Sequence, residues 1–248
     1  MPRLIPFRLV ATCVLAFVVS LSFAAVAGAK GPVADLRVVD TGGSILAEDS
    51  FGATTASIKA SPKANCFGPG TGGSGQTVTV KGPTALGMLI QAARFTETLK
   101  PLLITDTFDF GLGLCGVGGN VIRGEASWYL KVNHKGATVG GDSLNVHAGD
   151  EVLWYLAPEY PYPDELWLEA PRRTMAGEPF AVRVFSYDEK GKRKPAAGVT
   201  VSGAQAPTGA DGRTTVVLVK PRRLIARHGD EIPSNRVAVC VGRKCPQG

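Results

Sequence analysis

Histidine is scarce in this chain. There are three in 248 residues, at positions 134, 147 and 228. None stands at i, i+4 beside an acid on a helical stretch, so spacing assembles neither a metal centre nor a general-base pair. Long apolar runs are missing beyond the first thirty residues, and nothing there approaches the ~20 needed to cross a bilayer. A dense basic stripe is missing as well, which excludes a nucleic-acid binder. Helical periodicity is almost absent.

What is present begins with a leader. Arg3 and Arg8 head the apolar run Leu9 to Phe23, and "AVAGA" then supplies small residues for cleavage after Ala29. A charged head, a short apolar core and a small-x-small end describe a secretory signal peptide over residues 1–29. Cys13 lies at the start of that run rather than after it, so it is misplaced for lipidation. The mature protein is therefore expected outside the cytoplasm, secreted or associated with the cell envelope. Losing the leader removes two arginines and no acids, and the formal charge falls from +6 to +4. The basic "KGKRK" at 190–194 reads as a solvated hairpin loop, with Gly191 and Pro195 as its turn residues.

Four cysteines remain, Cys66, Cys115, Cys240 and Cys245. An even number in an exported chain points to disulfides rather than metal or redox chemistry. Three pairings are open. Cys66–Cys115 with Cys240–Cys245 is favoured because each bridge then stays inside one domain.

Those domains follow from the pattern. "VADLRVVD", "TASIKAS", "TVTVKG" and "PLLITDTFDF" read as strands, and "FGPGTGGSGQ" as a loop too glycine-rich for regular structure. In "PTALGMLIQAA", Leu86, Leu89, Ile90 and Ala93 recur at helical spacing behind the start signal Pro83-Thr84. This is the one helix expected in the mature chain. "WYLKV" alternates, with Trp128, Leu130 and Val132 on one face and Tyr129 and Lys131 on the other, while "EVLWYL" is apolar on both faces, as a central strand is. The prolines of "APEYPYPDE" make a stiff connector at 158–163. After it, "EPFAVRVFSYD", "GVTVSG", "TTVVLV" and "RVAVCVG" are short strands separated by turns, about seven in all and sandwich-like. The expected fold is thus mainly β, with one α+β domain at 33–157 and a β-sandwich at 164–242.

Two motifs imitate enzymes. "GDSL" at 141–144 carries the nucleophile block of a serine esterase family, but it lies deep in the chain between strands, and no D-x-x-H supplies its base. A secreted hydrolase built on Ser143 is the remote alternative. "GLGLCG" at 111–116 satisfies G-x-G-x-x-G without the helix that must follow it, so its glycines are expected to let the chain turn around a disulfide. No enzyme is expected.

"ASWYLKVNHKGA" and "GDSLNVHAGDEVLWYL" together resemble the signature of the transcobalamin-like C-terminal domain family: an aromatic strand, a tight turn, then a G-D turn feeding a tryptophan strand. The resemblance covers about residues 33–157 and is specific over 126–156. It implies a β-grasp-like fold and raises cobalamin as a ligand. Two departures weigh against cobalamin: no large helical partner domain accompanies the module, and His134 stands where the family often has glycine. The second half resembles bacterial Ig-like modules. Trp128, Leu130 and Val132 are expected in the core. Tyr129, Asn133, His134 and Tyr155 are the candidates for an exposed ligand-reading surface, since a tyrosine lying on a sheet can stack a planar or sugar ligand. The functional expectation is an exported, non-enzymatic binding or adhesion protein whose partner is a small molecule, a glycan or a cell-wall polymer. The alternative is a purely structural envelope spacer. Exposed Tyr129 and His134 lining a pocket favour the first; both rings buried favour the second.

Overall fold

A computed structural model describes residues 31–243 and Cys245; the leader lies outside the described residues. Among the described residues the fold is mainly β, with a single α-helix. Strands β1 (Val33–Val39) and β2 (Ile45–Gly52) form an antiparallel pair, and β3 (Ala56–Lys59) pairs with β4 (Thr77–Val80). Strand β2 was not anticipated, because "ILAEDSFG" is acidic and breaks alternation. Helix α1 (Ala85–Phe95) begins where expected: the Thr84 hydroxyl accepts a hydrogen bond from the Gly87 amide at 3.2 Å. Gly87 weakens a helix by about 1 kcal/mol relative to alanine. A Cβ there would lie 2.8 Å from the Thr54 carbonyl oxygen, so glycine lets the helix lie against that segment.

Beyond α1 come β5 (Leu102–Phe108), β6 (Gly111–Val117), β7 (Asn120–Val121), β8 (Ser127–Val132), β9 (Lys135–Gly136) and β10 (Glu151–Ala157). The glycines of "GLGLCG" do not form a turn, contrary to expectation; they lie in β6. A Cβ on Gly113 would sit 2.6 Å from the Phe67 ring, and one on Gly116 3.0 Å from Leu103, so glycine leaves room for neighbouring side chains to lie on the strand. Cys115 of this strand is bridged to Cys66, and Cys240 to Cys245, the favoured pairing.

The main sheet has the order β2-β1-β10-β8-β9, with β1 and β10 parallel at its centre. Its front face presents Leu36, Val38, Trp128, Leu130, Val152 and Trp154, which pack with Leu86, Met88 and Leu89 of α1 in one core. Each fully buried leucine or methionine there contributes about 1.5–3 kcal/mol, and Leu89→Ala would cost about 2–5 kcal/mol. The other face is also covered, by the second half of the chain.

That half contains β11 (Glu165–Glu169), β12 (Arg173–Thr174), β13 (Pro179–Tyr187), β14 (Arg193–Pro195), β15 (Thr200–Val201), β16 (Arg213–Val217), β17 (Arg222–Leu224), β18 (Ala226–Arg227) and β19 (Val237–Val241). Among the described residues these are nine short strands rather than about seven. Strand β13 is paired by β11 on one side and by β14 and β16 on the other, and β12-β19-β17 form a separate sheet. Leu166, Leu168, Val182, Val184, Leu224 and Val239 fill a core of their own. On the outer side of β13, Phe185 is covered by the guanidinium groups of Arg183 and Arg193, at 4.6 and 4.1 Å from its ring centre.

Candidate functional site

Pairing register places Arg37 of β1 and Lys131 of β8 on either side of Leu153 in β10. All three therefore share the back face, and a lone charge there would be costly to bury. Glu165, the first residue of β11, enters between the two cations. It forms an ion pair with Arg37 and lies 3.2 Å from Lys131 Nζ. His134 Nδ1 is 3.2 Å from Glu165 Oε1, and its Nε2 is 3.1 Å from Glu151. The contacts of Glu165 Oε2 and His134 Nδ1 are close but too poorly aligned to count as hydrogen bonds, so charge rather than directional bonding holds them. Arg37 also donates to the Pro233 carbonyl at 2.6 Å, and Lys131 to the carbonyls of Tyr187 and Asp188.

Burial alone would raise the pKa of Glu165, but Arg37, His134 and Lys131 outweigh it and hold the carboxyl down to about 2. Burial likewise opposes charge on His134, yet the carboxylates of Glu151 and Glu165 beside it raise its pKa above the ordinary value. For Lys131 the balance tips the other way: burial lowers its pKa despite Glu165.

These contacts fix the place of the four candidates, and none forms an exposed reading surface. Tyr155 is buried at 4 % exposure beside Val39 and Ile232. Tyr129, 6 % exposed, stacks on Tyr162 of the connector at 4.1 Å between ring centres. His134 stacks on Tyr187 at 3.8 Å and meets Trp167 edge-on. Asn133 is exposed but engaged: its amide nitrogen donates to Asp150, and its oxygen accepts from the Glu151 amide. The reason is topological. Alternation identifies the face opposite the helix but cannot tell whether water or another module covers it. Asn133 and His134 have φ of 50° and 67°, the left-handed pair of a two-residue hairpin turn. Histidine is strained there, and its contacts across the joint hold it. Trp128 and Leu130 lie in the core as expected, with Val132 packed against it.

Ser143 is exposed in a turn, and among the described residues His134, His147 and His228 each contact carboxylates rather than its hydroxyl. No cluster of three or more metal-ligating side chains occurs among the described residues, and no helix there is long and apolar enough to cross a membrane.

Two clefts remain. A polar one of about 540 Å³ opens beside the joint, with Asp35, Glu48 and Asp49 on one wall and Arg172, Arg223 and Arg236 on the other. Some of its charges are already engaged: Glu48 pairs with Arg236, and Asp35 accepts from the Ser50 hydroxyl. An apolar cleft of about 350 Å³ lies between the β5–β6 hairpin and the edge of the main sheet. Phe67, Phe108 and Phe110 form its rim, with ring centres 5.0–5.3 Å apart, and Phe110 is 86 % exposed. Its wall includes Trp128, Trp154 and Tyr129, whose indole nitrogens and hydroxyl are withdrawn from solvent without hydrogen-bond partners. Burial, and then Glu189 and Glu165, push the Tyr129 phenol pKa upward, so it stays a donor.

Comparison with known proteins yields no relative: no family model matches the chain, and no curated protein or solved structure does.

The apolar cleft is what the arrangement offers chemically. Removing exposed phenylalanine surface from water is favourable at about 25 cal/mol per Å², and an acceptor reaching an unpaired donor would recover about 1–3 kcal/mol of its desolvation penalty. At about 350 Å³ the cleft falls at the lower end of small-molecule sites and cannot enclose a corrin. Sequence reasoning missed Phe67, Phe108, Phe110, Tyr162 and Glu189. The one legible signal was "FDFG", which puts two aromatics at a hairpin tip, more than that tip needs.

Proposed function

We propose that this chain is an exported, non-enzymatic ligand-binding protein of the cell envelope, and that its ligand occupies the apolar cleft of the first module. The observation carrying this reading is the conjunction of exposed aromatic rim and unpaired buried donors. Isolated exposed apolar residues need no explanation, whereas contiguous ones beside unsatisfied polar atoms do. The leader and the two disulfides agree with export. The parallel central pair of the main sheet, crossed by one helix, supports the β-grasp-like and transcobalamin-like reading of residues 33–157. The separate antiparallel-rich sheets of the second module, around a core of their own, support an Ig-like one.

A second reading, a structural spacer, is favoured by the burial of Tyr129 and Tyr155 against the second module, which makes the hairpin's back face a joint. The two readings separate in one titration. The oxidised mature protein, residues 30–248, is titrated with the neutral fluorophore N-phenyl-1-naphthylamine, and energy transfer from tryptophan is followed. A ligand cleft gives saturable one-to-one binding that Phe110→Ser weakens by about tenfold with no loss of stability. A spacer gives no saturable signal.

A further inference from the structure

The wall of the apolar cleft is unusual in its charge. Among the described residues, seven aromatic side chains line it, no lysine, arginine or histidine does, and Glu189 is its one charged residue. Glu189 belongs to the turn between β13 and β14, and its backbone carbonyl accepts from the Gly136 amide at 2.8 Å, which fixes the turn over the β8–β9 hairpin. Its carboxylate makes no ion pair among the described residues.

An aromatic cavity with one carboxylate on its wall and no lining cation disfavours anions. It attracts positive charge through the ring faces and the Glu189 carboxylate together. We infer that the cleft takes an organic cation, an amine or quaternary ammonium group carried on an apolar body, and that Glu189 of the second module is its counter-charge. This rests on the reading of the cleft as the ligand site. It also gives the second module a part in recognition, since Tyr162 and Glu189 both lie beyond the first module.

The test uses two probes of the same shape, benzyltrimethylammonium and its uncharged carbon counterpart neopentylbenzene, titrated into residues 30–248 by calorimetry and tryptophan fluorescence. The cation should bind about tenfold more tightly. Glu189→Gln, an exposed turn substitution that keeps the backbone contact, should reduce that preference about threefold, and added salt should act in the same direction. Equal binding of the two probes, or an unchanged preference in Glu189→Gln, overturns the cation assignment while leaving the cleft as a ligand site. Binding of N-phenyl-1-naphthylamine with neither probe bound overturns it too. Failure of all three ligands overturns both the assignment and the reading beneath it.

Discussion

Replacing Glu165 with alanine is the most informative perturbation of this molecule. Its side chain is 3 % exposed and lies among Arg37, Lys131 and His134, whose side chains are 7, 1 and 14 % exposed. The substitution removes the central anion, strands Arg37 and Lys131 without their carboxylate and leaves His134 with Glu151 alone. Breaking a buried ion pair from one side costs about 3–5 kcal/mol, because a charge is stranded rather than because the pair was strongly net stabilising. For a protein of this size that corresponds to a fall in Tm of about 6–20 °C. Denaturant unfolding followed by fluorescence reads the effect, since Trp167 lies at the joint while Trp128 and Trp154 lie in the first core. The complementary variant removes the buried carboxylate together with both of its permanent cations: Arg37→Met, Lys131→Met and Glu165→Leu together should be near wild type or more stable, His134 keeping Glu151. A loss below about 1 kcal/mol in Glu165→Ala, the range of an exposed surface pair, would refute the reasoning. So would a triple variant as unstable as the single one.

Other outcomes follow from the same joint and from the bridges. Glu165 has a depressed pKa, so its contribution is present above its unfolded value of 4.5 and is lost as pH falls toward about 2. His134 has a raised pKa, so its contribution is complete below 6.5 and is lost as pH rises through its folded value. Stability measured by denaturant at a series of pH values should therefore peak between about 4.5 and 6.5, and His134→Gln should flatten the upper limb. His134→Gly, which relieves a left-handed residue, should nevertheless destabilise in thermal melts; stabilisation would mean that the joint contacts contribute nothing. Opening Cys66–Cys115, which spans 49 residues, should cost about 4 kcal/mol on the chain-entropy model. Opening Cys240–Cys245, which spans 5, should cost about 2.

Local pattern carried much of the fold. Helical spacing at Leu86, Leu89, Ile90 and Ala93 with Thr84 before it located α1, and the unbroken apolar run of "EVLWYL" marked the strand that is central to the sheet. These features depend on a residue and its near neighbours. Lys131 was illegible for the opposite reason. In sequence it is one polar residue in an alternating strand, which water ordinarily solvates, yet it is 1 % exposed here. Its burial depends on Glu165, which lies beyond a proline-rich connector. The aromatic cleft was hidden likewise, because Phe67, Phe110 and Glu189 come from three separate turns and meet only after the sheet has formed.

Between Ala157 and Glu165 the backbone passes from one module to the other once, and Tyr160 there is 71 % exposed. Other bonds cross outside that passage: Arg227 donates to the Gly43 carbonyl, Arg236 grips Glu48, and Arg37 reaches Pro233. A protease that nicks the connector would thus cut a covalent link without parting the halves. The cleaved molecule would run as one species on a native gel and as two under denaturing conditions, and separately produced halves should reassemble when mixed.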